Sequence, residues 1–158
     1  MAKILQEISF AEEDNVKKVF VDFRIRSDIL DPEEITKDFG INPKTAYAKD
    51  DPYQSKARNP KTKQFHLQWQ KRPCGIWSLS SENMVSSVRA EDHIQYLLTL
   101  LEPIGEKLHF YLSRRETYVV SFYIHWEPVG EWGSYEVDQD LLNRISSLCH
   151  YVEFVFMR

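Results

Sequence analysis

Glycine is scarce in this chain, and its scarcity limits the chemistry available. Only five of the 158 residues are glycine. None of them falls in the G-x-x-x-x-G-K or G-x-G-x-x-G pattern whose backbone amides hold nucleotide phosphates. The G-x-S-x-G turn that exposes a nucleophilic serine is missing too. The sequence therefore predicts neither a phosphate-binding loop nor a serine-hydrolase site.

Cysteine is rarer still. Cys74 and Cys149 lie far apart, and neither belongs to a C-x-x-C motif. We expect two reduced, structural thiols. The alternative is a reactive Cys74, because the nearby positive charge of Arg72 would favour its thiolate. No histidine has the spacing of a metal ligand, so the sequence predicts no metal site and no cofactor. The histidines considered are His66, His93, His109, His125 and His150.

Apolar runs long enough to cross a membrane are also missing. The N-terminus, MAKILQEISFAEED, turns acidic early and lacks the apolar core of a signal peptide. Together these features predict a cytoplasmic protein without membrane contact. The length is that of one domain, so we expect a single α+β domain over residues 1–158, with an N-terminal extension at 1–15.

Regular hydrophobic alternation is what the sequence does contain. In VKKVFVDFRIR, residues 16–26, every second side chain from Val19 to Ile25 is apolar, which predicts a half-buried strand. LDPEEITKDFG then predicts a helix from about Pro32 to Phe39, with Asp31 as its N-cap, Glu34 completing a capping box and Gly40 closing it. CGIWSLSSEN predicts an anchor strand with Trp77 in the core rather than a reaction site, because nothing local would activate a serine.

The remaining segments complete a two-layer fold. Residues 50–64 contain two prolines and no periodicity, which predicts a long loop. Helical spacing predicts helices at about 87–104 and after Asp138. Alternation predicts strands at 44–48, 65–69, 76–80, 107–113, 118–126 and 152–156. A hairpin turn is expected at 114–116, between two of these strands. This order suggests three β-α-β units in sequence. We expect a ferredoxin-like, mixed or antiparallel sheet with helices packed on one face.

Several of these segments resemble a known bacterial family. LDPEEITKDFGINP resembles the pattern L-x-P-E-E-I-T-x-x-L-G-I-x-P of the family called domain of unknown function 4279. GIWSLSS, HIQYLLTLLEPI and DLLNRISSL resemble its later elements, so the resemblance covers about residues 16–156. Tyr47 and AKDDPY stand where that family has a tryptophan and a basic, glycine-containing turn. The resemblance implies an uncharacterised protein, and similar small α+β families that act as immunity proteins beside toxin genes provide an analogy.

Charge is distributed unevenly along the chain. Residues 53–81 contain no acid but six cations, interleaved with aromatic residues. Residues 116–143 contain no Lys or Arg but six acids. In one interpretation the two stretches are ordinary solvated surfaces that neutralise each other, within one chain or across a homodimer.

Two binding interpretations compete with that one. A non-catalytic protein-binding module would offer an acidic, aromatic loop to a basic protein. The residues expected to bind are Glu127, Glu131, Trp132, Tyr135, Glu136 and Asp138. Single-stranded nucleic acid could instead bind the basic segment 56–72, although the net charge of −4 argues against it. We expect no enzyme; the sign of one would be a histidine and an acid within hydrogen-bond reach in a pocket, for example His125 with Glu127 or Glu136.

Overall fold

A five-stranded mixed sheet forms the centre of the protein. A computed structural model describes residues 15–130 and 136–157. Along the chain the strands are β1 (Val16–Ser27), β2 (Thr45–Tyr47), β3 (Pro52–Arg58), β4 (Phe65–Lys71), β5 (Gly75–Ser80), β6 (Val119–Pro128) and β7 (Tyr151–Phe156). The central sheet has the order β2-β5-β1-β6-β7, whereas β3 and β4 form a separate two-stranded sheet. Only the β6–β7 pair of the central sheet is parallel.

Helices from four segments close the core against one face of this sheet. They are α1 (Pro32–Phe39), α2 (Ala90–Leu101), α3 (Gly105–Leu112) and α4 (Gln139–Ser146), with a short 3₁₀ turn (Glu102–Ile104) joining α2 to α3. Buried residues of all four helices join the strand face that carries Phe23 and Trp77. Of the helices within residues 15–130 and 136–157, none has the length and apolarity needed to cross a membrane.

The α+β class and the mixed sheet are confirmed, but the ferredoxin-like arrangement and the three β-α-β units are not. Four consecutive strands, β2 to β5, separate α1 from α2. A parallel β-α-β connection links β6 to β7 through α4. The predicted N-terminal extension, 1–15, lies outside the described residues except for its last one.

The predicted strand at residues 107–113 is wrong, since the segment forms α3. KLHFYLS alternates, but Leu108 and Tyr111 are also three apart and are the buried residues of the helix. A stretch of seven residues fits both the two-residue period of a strand and the 3.6-residue period of a helix. Packing against β6 stabilises the helix. Residues 114–116 accordingly form a turn from helix to strand, in which Thr117 and Tyr118 donate to the Arg114 carbonyl oxygen.

The predicted loop at 50–64 is also wrong for residues 52–58. Residues 52–58 form β3, which pairs antiparallel with β4 from Pro52↔Lys71 to Arg58↔Phe65. The chain reverses at 59–64, where the Asn59 amide donates to the Gln64 carbonyl oxygen (2.9 Å) and Lys63 adopts a positive φ of 61°. The sequence concealed β3 because its alternating positions, such as Ser55 and Ala57, are small or polar. A strand of this kind is specified by its partner rather than by a hydrophobic pattern.

The predicted ends of α1 are confirmed, and they lead to a first testable prediction. Asp31 Oδ1 accepts hydrogen bonds from the amides of Glu33 and Glu34, and Gly40 closes the helix at φ 67°. Asp31→Ala removes this cap, so we expect the free energy of unfolding to fall by about 1 kcal/mol. Urea unfolding followed by circular dichroism measures the change. Asp31→Asn is the matched control, because an asparagine oxygen can still cap the helix, and equal losses in both variants would contradict this role.

Candidate functional site

The hairpin formed by β3 and β4, residues 52–71, presents a row of large exposed apolar side chains, and we call it the basic arm. Phe65, Leu67 and Trp69 project from the same side of β4, because alternate residues of a strand share a face. Their exposed fractions are 69%, 61% and 69%. Single exposed apolar residues are common, but three large ones in a row on a two-stranded sheet form a continuous apolar surface.

Cations border this apolar row. Across the hairpin, Arg58 lies opposite Phe65 and Lys56 lies opposite Leu67. The Arg58 guanidinium lies 6.0 Å from the centre of the Phe65 ring. Among the described residues, no acid forms an ion pair with the cations of the arm, which are Lys56, Arg58, Lys61, Lys63 and Lys71. The arm therefore combines exposed apolar area with positive charge that the described part of the chain leaves uncompensated.

Stacking at its base holds the arm against the central sheet. The Arg72 guanidinium lies 4.1 Å from the ring centre of Tyr47 on β2 and 4.0 Å from that of Tyr53 on β3. Backbone hydrogen bonds join Asp50 N to the Arg72 carbonyl oxygen (2.9 Å) and Arg72 N to the Asp51 carbonyl oxygen (3.0 Å). Cation–π contacts of this kind restrict both the cation and the rings. The base of the arm is therefore an ordered junction.

The acidic loop predicted to bind a partner is seen only in part. Glu127 forms an ion pair with Lys17, and the Asp138 carboxylate caps α4 by accepting from the amide of Asp140 (2.8 Å). Glu136 is exposed. The other residues of that prediction, Glu131, Trp132 and Tyr135, lie outside the described residues. None of the ion pairs seen within 15–130 and 136–157 joins the acidic stretch to the basic one.

A polar network occupies the sheet face opposite the helices. We use this name for Asp22, Arg24, Ser80 and His125, which the strand register places side by side on β1, β5 and β6. Asp22 is only 8% exposed, and its Oδ2 accepts from Arg24 Nη2 (2.7 Å) and His125 Nε2 (3.1 Å). Burial alone would raise the pKa of the Asp22 carboxyl, but hydrogen bonds from His125, Ser80 and Arg24 outweigh it and lower the pKa.

Aromatic rings hold the network in place. The His125 ring stacks on Phe20 at 4.3 Å between ring centres, and the Arg24 guanidinium lies 4.3 Å from the centre of the Tyr123 ring. The sequence singled out His125 but predicted Glu127 or Glu136 as its partner. The partner is Asp22, whose only signal was its position on the solvent side of an alternating strand. Finding the pair required the register between β1 and β6, which the sequence does not encode locally.

The serine-rich stretch CGIWSLSSEN has the structural role that was predicted. Trp77 is fully buried, and Leu79 is 4% exposed. Sequence reasoning missed the contact of Ser81 Oγ with His93 Nδ1, 2.8 Å apart. A serine beside a histidine can form a nucleophilic pair. Here, however, Ser81 and His93 are 0% and 1% exposed, and Ser81 also bonds to the backbone of Val21, so this contact ties β5 and α2 to β1.

The two cysteines and the remaining histidines do not converge. Burial raises the pKa of the Cys149 thiol to about 11, so its thiolate is scarce at neutral pH. Cys74 is partly exposed just before β5, and His109 lies on α3 rather than on a strand next to His125. In the part of the chain that the structure describes, no three potential metal ligands cluster.

Comparison with known proteins places the chain in a family. No curated protein and no solved structure matches it. Residues 17–155 match the family model described as Domain of unknown function (DUF4279). The match runs from β1 into β7, and so includes both the basic arm and the polar network. The chain therefore belongs to the DUF4279 family.

Proposed function

We propose that this protein is a non-catalytic binding module whose basic arm docks on an acidic protein. The observation that carries the proposal is the row of Phe65, Leu67 and Trp69, each 61–69% exposed, on a hairpin whose cations form no ion pair with a described acid. Burying a large apolar side chain stabilises a complex by roughly 1.5–3 kcal/mol before the costs of association. Three such side chains together can supply the centre of an interface.

The arrangement of the arm resembles known binding surfaces. Interfaces usually have an apolar, aromatic centre that excludes water, surrounded by a polar rim. On the arm, Trp69 and Phe65 would be the anchors, and Lys56 and Arg58 would form the rim. Positive charge at the rim increases the association rate with a negatively charged partner and disfavours basic ones. The partner suggested by the arm is thus acidic, whereas the loop containing Glu131 and Trp132 led to the prediction of a basic partner.

Single-stranded nucleic acid fits the arm less well than protein does. Binding of that kind stacks bases on aromatic rings while cations hold the phosphates. The middle position of the row is Leu67, which offers no ring, and the chain as a whole has a net charge of −4. An apolar pocket on a protein surface can bury this aliphatic side chain, whereas a nucleic-acid base offers it only a flat face.

The test is loss of partner capture when the row is made polar. We expect the wild-type protein to capture an acidic protein from a nuclease-treated extract of its native host. For the purified pair, Leu67→Ser combined with Trp69→Ser should weaken binding at least about tenfold, because anchors near an interface centre contribute most of its energy. Calorimetric titration measures the affinity, and rising salt should slow association.

Met84→Ser is the matched control, since Met84 is 63% exposed but lies away from the arm, before α2. This variant should bind like the wild type, and circular dichroism should show the same fold in all three proteins. Unchanged affinity in the Leu67/Trp69 double variant would contradict the proposal. Capture of nucleic acid alone from an untreated extract, sensitive to the arm variant, would replace the acidic protein with a nucleic acid.

A further inference from the structure

A depression of about 290 Å³ lies beside the polar network, where β1, β5 and β2 meet. Arg24 and Asp22 form one side of it, and the hydroxyl-bearing residues of β2 and β5 form the other. Those residues are Thr45, Tyr47, Ser78 and Ser80. The depression is on the sheet face opposite the helices and is distinct from the apolar row on the arm. Its size is at the lower end of the range for small-molecule sites.

The Arg24 guanidinium is fixed at the edge of this depression. One nitrogen, Nη2, donates to Asp22, and the plane of the group lies over the Tyr123 ring. Asp22 in turn accepts from His125 and Ser80, so the carboxylate that positions Arg24 is itself held in place. Within residues 15–130 and 136–157, Nε and Nη1 have no hydrogen-bond partner. A restrained guanidinium with unused donors can hold an oxyanion through two hydrogen bonds.

Two cations and two acids line the depression, and both acids have a cationic partner. Asp22 is paired with Arg24, and Glu82 is paired with Lys18 at 2.6 Å. Lys44 also borders the depression, and among the described residues no acid pairs with its ammonium group. The hydroxyls of Thr45 and Tyr47 supply further donors, whereas that of Ser78 donates to the Thr45 carbonyl oxygen (3.4 Å). The groups that face the depression without an acid partner among the described residues are thus the Lys44 ammonium group, two Arg24 nitrogens and these two hydroxyls.

We propose that this depression is a binding site for a small oxyanion, the carboxylate or phosphate group of a small molecule. Arg24 is the principal ligand, Lys44 supplies the second positive charge, and the hydroxyls of Thr45 and Tyr47 complete the contacts. Asp22 and His125 are positioning residues that set the orientation of Arg24. This site is independent of the docking of the basic arm, and either can exist without the other.

Titration with inorganic phosphate and with succinate, followed by NMR of backbone amides at pH 7 and constant ionic strength, tests the proposal. We expect at least one of the two anions to shift the amides of Lys44, Ser78 and Arg24 in a saturable way, while sodium chloride does not. The anion that binds more tightly identifies the ligand as a phosphate or a carboxylate. Arg24→Gln should weaken that binding at least about tenfold.

Arg115→Gln is the matched control, because Arg115 also lies over an aromatic ring, Tyr151 at 5.0 Å, but does not border the depression. It removes the same charge and should leave anion binding unchanged. Lys44→Gln, a change at an exposed residue, should weaken binding even if Arg24→Gln disturbs the fold. Shifts that chloride reproduces, no saturable shift with either anion, or equal losses in the Arg115 and Lys44 variants would overturn the proposal.

Discussion

Trp77→Ala should lower the free energy of unfolding by about 3–5 kcal/mol, the cost of removing a large aromatic side chain from a packed core. Trp77 is fully buried, and its ring meets Phe39 of α1 edge-on at 5.2 Å and Phe23 of β1 at 6.5 Å. Its Nε1 also donates to Thr36 Oγ1 at 3.0 Å. The side chain thus joins the sheet to the first helix, and its loss leaves a cavity between them. Equilibrium urea unfolding measures the change.

Trp69→Ala is the matched control for this experiment. Trp69 is 69% exposed on the basic arm, so its removal should change the free energy of unfolding by no more than about 0.5 kcal/mol. The loss of unfolding free energy for Trp77→Phe should lie between those of Trp69→Ala and Trp77→Ala. Phenylalanine keeps most of the apolar volume but loses the hydrogen bond to Thr36. Similar losses of stability for Trp69→Ala and Trp77→Ala would show that the arm is part of the core.

Asp22→Ala should lower the free energy of unfolding by roughly 3 kcal/mol, because it leaves Arg24 and His125 without their shared acceptor on a largely buried face. The effect should also depend on pH. The pKa of Asp22 is lowered in the folded protein from its ordinary value of 3.8. Its stabilising contribution is therefore complete above about pH 4 and is lost as the pH falls through the folded pKa.

Urea unfolding of the wild type and of Asp22→Asn between pH 2 and 7 measures this dependence. The wild type should lose more stability than the variant below about pH 4. Asp28→Ala is the control for the loss of an ion pair, since Asp28 pairs with Lys49 at the surface and should change stability little. If the free energy of unfolding changed with pH in the same way for the wild type and Asp22→Asn, the account of the polar network would be contradicted.

Local sequence signals predicted the parts of the fold that local physics determines. The alternation of β1, the capping residues of α1 and the helical spacing in α2 each lie within one segment, and the structure contains all three elements. Trp77 was placed in the core from its strand alone. The helix α3 and the strand β3 were missed because their type depends on packing against β6 and pairing with β4.

The candidate sites were only partly predictable for the same reason. The sequence showed a basic segment and the alternation of Phe65, Leu67 and Trp69, but only the fold shows that this side of β4 is exposed and pairs with β3. The contact of Asp22 with His125 joins residues 103 positions apart, so no local sequence pattern predicts it. Charge was visible in the sequence, whereas the exposure of the apolar row required the fold.

Photocross-linking in the native host tests the central claim, that the basic arm is the docking surface, most directly. A photoreactive amino acid replaces Leu67 in one variant and Met84, exposed to a similar extent but away from the arm, in the other. The account predicts an adduct with one acidic protein from position 67 and none from position 84. Adducts only with nucleic acid or with a second copy of this chain, or equal yields from both positions, would contradict it.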